Sequence, residues 1–282
     1  KNFSLLDSNY SSALNNLGFF YFSCAEYMKA EPIYLRTLEL DKNSFGEKHP
    51  NYISDLNNLG GLYENMGELD KAENIFLKAI RLHKENIGTE DLDYANYLNN
   101  LGLLYSKTDK YFEAEQCFKN SIKIKKQLSG DKSNNYASTL DNFGSLQLKL
   151  GNIDLAGEMF VNSLEIRKSN LGNFHYSVAT GLNNVAYFYE NLGKYKEADS
   201  LYHLSLTTWE KVSGKNTAEY SIALNNLAGL YLRIGKIKDA ENLYKQVLFI
   251  KSSILGTKSI EYAETLHNIA TLYSKNDSNQ KA

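Results

Sequence analysis

Asparagine recurs along this chain at one fixed spacing. Asn16, Asn58, Asn100, Asn142, Asn184, Asn226 and Asn268 lie 42 residues apart. Asn15, Asn57, Asn99, Asp141, Asn183, Asn225 and His267 immediately precede them. A carboxamide both donates and accepts. A row of them on one face can pair with the N–H and C=O groups of an extended peptide whatever its side chains. The same row can instead bond from one structural unit to the next and fix the angle between them. Asparagine is a poorer helix former than alanine by roughly 0.6 kcal/mol per site. Seven such choices therefore require a compensating gain. Both readings stand for the invariant column, and the structural one is favoured for the column before it.

Other chemistry is sparse. The five histidines are His49, His83, His175, His203 and His267. None stands in a His-x-x-x-His spacing, and Cys24 and Cys117 form no Cys-x-x-Cys pair, so no metal site is expected. Nothing resembles a phosphate-binding glycine loop or a nucleophile elbow. No catalytic residue and no cofactor is expected. The net charge of -2 disfavours nucleic acid as a partner. No run of 18 apolar residues is present to span a bilayer. Two cysteines in non-equivalent places read as free thiols in a reducing, cytoplasmic setting.

The 42-residue period defines the elements that must position the asparagines. Tyr10, Tyr52, Tyr94, Tyr136, Val178, Tyr220 and Tyr262 each open one copy, with no insertion or deletion between them. Counting that residue as position 0, repeats span 10–51, 52–93, 94–135, 136–177, 178–219 and 220–261, with a seventh begun at 262–282. Residues 1–9 read as the end of a preceding repeat, so the sequence reads as a fragment cut mid-repeat at both ends. A period of this length signals an array of stacked units.

In the second copy, Leu56, Leu59, Gly60 and Tyr63 fall on one stripe of a first helix. Its cap column, three residues before position 0, reads Asp7, His49, Asp91, Ser133, His175, Thr217, Ser259. The turn column at position 15 reads Ala25, Gly67, Asp109, Gly151, Gly193, Gly235, Asp277, and Ala25 should make the most strained turn. A second helix of roughly 18–20 residues follows, about 30 Å long at 1.5 Å per residue. It carries an alanine column (Ala30, Ala72, Ala114, Ala156, Ala198, Ala240, Ala282) and an aromatic one (Tyr34, Phe76, Phe118, Phe160, Tyr202, Tyr244). Pro32 falls inside the first copy of this helix. Glu31, Glu73, Glu115 and Glu241 follow the alanines and read as solvated. Trp209 falls in an otherwise polar column (Asp41, His83, Lys125, Arg167, Lys251) and is expected on a partly exposed outer ridge.

Leu59-Gly60, Tyr63, Gly67, Ala72, Phe76 and Ala79 resemble the tetratricopeptide repeat signature in order and spacing. The 42-residue length, the Leu-Asn-Asn-Leu core and the Gly46-to-Pro50 link resemble the kinesin light chain subtype. Similar arrays occur in bacterial proteins joined to caspase-like CHAT protease modules. The resemblance covers residues 10–282. It implies an all-α fold, an α-solenoid of stacked helical hairpins in a right-handed superhelix, with first helices lining a concave face that takes a peptide or a partner's helix. In that family groove asparagines contact cargo peptides, and Asn16, Asn58, Asn100, Asn142, Asn184, Asn226 and Asn268 resemble them.

Two variable columns on the same face could supply selectivity. Position 9 alternates bulky and small residues: Phe19, Gly61, Leu103, Ser145, Tyr187, Gly229, Thr271. Position 13 turns basic with Lys107, Lys149, Arg233 and Lys275, which suggests an acidic partner or else only solvated helix-end charge. The expectation is a protein–protein interaction scaffold. The alternative is a regulatory arm whose catalytic domain lies outside this sequence.

Overall fold

The computed structural model describes residues 3–280, with side chains from 9 to 274. Among the described residues there are thirteen helices and no strand. First helices are α1 (Phe3–Ser23), α3 (Pro50–Asn65), α5 (Leu92–Lys107), α7 (Asn134–Lys149), α9 (Tyr176–Asn191), α11 (Ala218–Arg233) and α13 (Ile260–Gln280). Second helices are α2 (Tyr27–Phe45), α4 (Leu69–Asn86), α6 (Tyr111–Ser129), α8 (Ile153–Leu171), α10 (Tyr195–Ser213) and α12 (Ile237–Ile254). The contacts fall into two compact units, residues 1–146 and 147–282. Within each, helical hairpins stack as an α-solenoid.

The predicted start and stop signals work as chemistry. The Asp91 carboxylate accepts from the Tyr94 N–H at 2.8 Å, and the Thr217 hydroxyl accepts from the Tyr220 N–H at 3.2 Å. His49 and His175 cap through Nδ1, accepting from Asn51 and Ser177 N–H groups. At the hairpin turn the backbone enters the left-handed region. Ala25 (φ 56°) and Asp109 (φ 59°) adopt it without being glycine, which makes these the two strained turns. The two outermost first helices differ from expectation. Helix runs through Asp7, where a cap was expected, and through Asp277, where a turn was expected. The side chains of Asp7, Lys275 and Asp277 lie outside the described residues, as does Ala282 altogether.

Each hairpin closes around one tight contact. The aromatic ring of the second helix lies against position 8 of the first. A Cβ added to Gly60 would sit 2.7 Å from Phe76, and one added to Gly102 would sit 2.9 Å from Phe118. Phe76 and Phe118 are fully buried. The glycines are there because the ring occupies the space of a side chain.

Between hairpins the structure corrects two sequence expectations. The glutamates after the alanine column are not simply solvated. Glu31 accepts from the Tyr63 hydroxyl of the next repeat at 3.1 Å, and Glu241 accepts likewise from Tyr273 at 2.8 Å. Glu73 takes Lys110, and Glu115 pairs with Lys119 along its own helix.

The column holding Trp209 is not an outer ridge either. Trp209 is 6% exposed, and Asp41, His83, Lys125, Arg167 and Lys251 are all buried with it. Each meets position 3 of the following repeat. Lys125 Nζ donates to Thr139 Oγ1 at 2.8 Å, and Lys251 Nζ to Thr265 Oγ1 at 3.0 Å. Burial pushes the Lys125 amine down to about 8. His83 packs edge-on against Tyr97 with ring centroids 5.3 Å apart, and its Nε2 lies 2.6 Å from Asp91. Arg167 lies by Gly181, where an added Cβ would come 3.4 Å from its guanidinium. Trp209 and Ala223 share one cluster. In the last four copies a large residue on one side, Lys125, Arg167, Trp209 or Lys251, is matched by a small one on the other, Thr139, Gly181, Ala223 or Thr265.

Both cysteines are free thiols, Cys24 half-buried and Cys117 buried. Burial pushes the Cys117 thiol up to about 11, which makes it a packing residue and a poor nucleophile.

Replacing Gly60 with alanine should cost about 1–3 kcal/mol through overpacking against Phe76. Gly61→Ala meets nothing within 4 Å and should be neutral or stabilising by up to roughly 1 kcal/mol of helix propensity. Urea denaturation of the two variants checks the contrast.

Candidate interaction surface

The asparagine columns sit on the first helices, on the face turned away from the second. Their amides form a ladder from repeat to repeat. In the first unit Asn58 Nδ2 donates to Asn15 Oδ1 at 3.2 Å, Asn100 to Asn57 at 3.0 Å and Asn142 to Asn99 at 3.0 Å. In the second, Asn226 donates to Asn183 at 3.2 Å and Asn268 to Asn225 at 3.0 Å. The invariant asparagine therefore reaches back to the variable-column asparagine of the preceding repeat. Asn184 is half-buried like its counterparts, and Asn16, at the start of the row, is exposed. This geometry supplies the compensating gain for a costly helix residue, as the structural reading requires. Each ladder bond uses one of the two N–H groups of the donating amide.

Position 9 flanks the ladder on the open side. Phe19 is 61% exposed and Tyr187 47% exposed, Ser145 is exposed, and Leu103 is half-buried. Gly61 has open space where a side chain would stand. Thr271 turns its hydroxyl inward to the His267 carbonyl at 3.0 Å. Position 2 shares this face, with Asn96, Ser138, Thr180 and Ile222 exposed.

The basic residues are less available than their column suggested. Lys107 Nζ lies 2.5 Å from Glu64, and Arg233 Nε lies 3.1 Å from Glu190. Both acids stand at position 12 of the preceding repeat. Glu190 is 5% exposed and also accepts from the Tyr202 hydroxyl at 3.0 Å. Burial raises its carboxyl above the usual range, against the opposing pull of that hydroxyl and of Arg233. Lys149 is exposed.

One polar pocket of about 130 Å³ was not foreseen. Ser11, Ser12, Asn15, Asp41, Asn51, Ser54 and Asp55 line it. It lies at the first copy of the contact between the Trp209 column and position 3. Asp41 and Asp55 are 2% and 3% exposed there. Asp55 accepts from Asn15 Nδ2 at 3.3 Å. Burial, and then the neighbouring Asp41, push the Asp55 carboxyl up to about 8. The phenols of Tyr34 and Tyr97 feel the Asp55 charge and are themselves held neutral by burial. The sequence carried a signal for this column in its later copies, where bulky Lys125, Arg167, Trp209 and Lys251 coincide with small residues fourteen places on. Among the described residues no group of three or more His, Cys, Asp or Glu is placed to hold a metal, and no helix is long and apolar enough to cross a membrane.

The tetratricopeptide repeat profile matches residues 9–85, 93–169 and 177–253. The chain belongs to the tetratricopeptide repeat family. Among solved structures it is similar to BtubC (BKLC) from P. vanneervenii, at 19% identity and a TM-score of 0.59 over 83% of this chain and 91% of that one. It is also similar to a kinesin light chain-like protein of Podosopora anserina with nearly identical repeats, at 17% identity and a TM-score of 0.57 over 73% and 97% of the two chains. PilF of Pseudomonas aeruginosa aligns over 93% of this chain and 99% of its own, at 19% identity and a TM-score of 0.53. No curated protein matches the sequence. Such repeats serve generally as scaffolds for protein interaction.

Two measurements follow from this surface. A double-mutant cycle on Asn57→Ala and Asn100→Ala should return a coupling of about 0.5–1.5 kcal/mol. A coupling of zero would remove the ladder from the account of repeat stacking. The Asp55 carboxyl holds a proton in the folded chain that an unfolded chain has already released. Its contribution is greatest at acid pH and is lost as pH rises from about 4 to about 8. In chelator-treated buffer, Asp55→Asn should flatten that decline and be the more stable variant at pH 8, as thermal melts across this range would show.

Proposed function

We propose that this tetratricopeptide array presents the first-helix face of its hairpins to an extended peptide or helix of a partner protein. The observation that carries the reading is the exposure of position 9 beside the ordered amides. Phe19 and Leu103 in one unit and Tyr187 in the other offer apolar contacts that differ from repeat to repeat. Gly61 and Gly229 leave gaps between them. Beside them Asn58, Asn100, Asn142, Asn226 and Asn268 are held in place by the ladder, each with a second N–H for a peptide carbonyl. Asn16 and Asn184 extend the same column. Preorganised amides lose little entropy on binding, which favours affinity.

An acidic partner gains less than the sequence suggested, because Lys107 and Arg233 already hold carboxylates. The proposed ligand is therefore a mixed apolar and polar segment read by shape and by its backbone. The array has no assigned role in chemistry under this reading.

Site-specific photo-crosslinking tests it. A benzoyl-phenylalanine at Leu103, and separately at Tyr187, should capture a discrete partner in cells. The same probe at Leu128, an exposed residue on the outer helix α6, should not. Equal capture from both faces would overturn the assignment of the groove.

A further inference from the structure

Among the described residues, the pocket at Asp41 and Asp55 departs from every other copy of the same contact. Elsewhere the column residue is bonded to a neighbour or packed against the position-3 residue. Lys125 and Lys251 donate to threonine hydroxyls, His83 meets Tyr97 and Asp91, and Trp209 fills the space over Ala223. Three copies place a cation of the protein itself in the column: Lys125, Arg167 and Lys251. The first copy places two carboxyls there and supplies no cation.

All seven lining residues carry oxygen-bearing side chains, and no lysine, arginine or histidine is among them. Asp41 Oδ1 and Asp55 Oδ2 are fully buried with no hydrogen-bond partner. Leaving such groups unsatisfied costs free energy comparable to a lost charged hydrogen bond. Ser11, itself 3% exposed, adds a buried hydroxyl to the wall. The negative end of α2, which closes at Phe45, lies one turn beyond Asp41 and favours positive charge nearby.

We propose that this pocket binds a hard divalent cation, calcium, through the Asp41 and Asp55 carboxylates with help from the surrounding hydroxyl and amide oxygens. Oxygen donors of mixed type suit calcium, which accepts irregular coordination by six to eight oxygens. Magnesium demands a near-ideal octahedron, and donors fixed on three packed helices are less suited to supply it. Binding displaces the proton that burial otherwise keeps on Asp55, so one proton leaves as the cation enters. The ion would join the first repeat to the second, because Asp41 belongs to α2 and Asp55 to α3. It would thereby make the stacking of α1 and α2 on the rest of their unit depend on calcium.

The test uses the full chain after removal of metals. Calcium chloride titrated to about 1 mM, within the range of weak calcium sites, should bind at one site per chain. It should raise the melting temperature by several degrees and release protons in weakly buffered solution. Affinity should increase with pH between about 6 and 8, as expected where a ligand must lose its proton. Asp41→Asn combined with Asp55→Asn should abolish binding and proton release while leaving the helical circular dichroism intact. The single variant Asp41→Asn should weaken binding and keep the fold if the double variant does not. Absence of any calorimetric or thermal response to calcium would overturn the proposal. So would a response that survives in the double variant, because the ion would then lie elsewhere.

Discussion

A hairpin of two helices cannot bury both of its apolar faces, so every repeat in this chain depends on its neighbour. That dependence sets the demands on each column. Apolar positions fill the space inside a hairpin. Polar positions must find partners across the junction to the next one. The ring of Phe76 pressed on Gly60 fixes the hairpin, and Asn58 bonded to Asn15 fixes the junction. The first contact admits only the smallest residues, glycine at Gly60 and Gly102 and alanine at Ala186 and Ala228. The second asks for a donor at position 6 and, in most copies, an amide acceptor at position 5.

The same logic explains where specificity can reside. Positions consumed by stacking are uniform, and Asn58, Asn100, Asn142, Asn226 and Asn268 are among them. Positions free of stacking vary, as Phe19, Gly61, Leu103 and Ser145 do. Where charges recur they are often already matched, as Lys107 is by Glu64. A surface built this way recognises a partner through contour laid over a fixed polar track, and its net charge says little about the partner.

Much of this was legible in the sequence. Helix ends were readable because caps and turns are local: Asp91, Thr217 and Gly67 act within three or four residues of themselves. The hairpin core was readable because its periodicity is simple. Contacts between repeats were harder. Asp41, His83, Lys125, Arg167 and Lys251 look like a solvated helix face, since each is polar and none neighbours its partner in sequence. Their burial is decided by residues fourteen places on, in a different helix. Glu31 misleads for the same reason, because its partner Tyr63 lies one repeat away. The asparagine ladder was anticipated as one of two uses, and propensity alone could not choose between them.

The paired column beneath the ladder also bears on how such a gene can change. Similar tandem segments invite slippage during copying, which deletes or duplicates a whole unit. Here the junctions are keyed differently. Loss of residues 52–93 would set Asp41 opposite Tyr97 instead of Asp55, and would remove His83 and Asp91 together. Copies that share a period are thus not interchangeable parts. The array carries its own order in the sizes and charges of residues hidden at each seam.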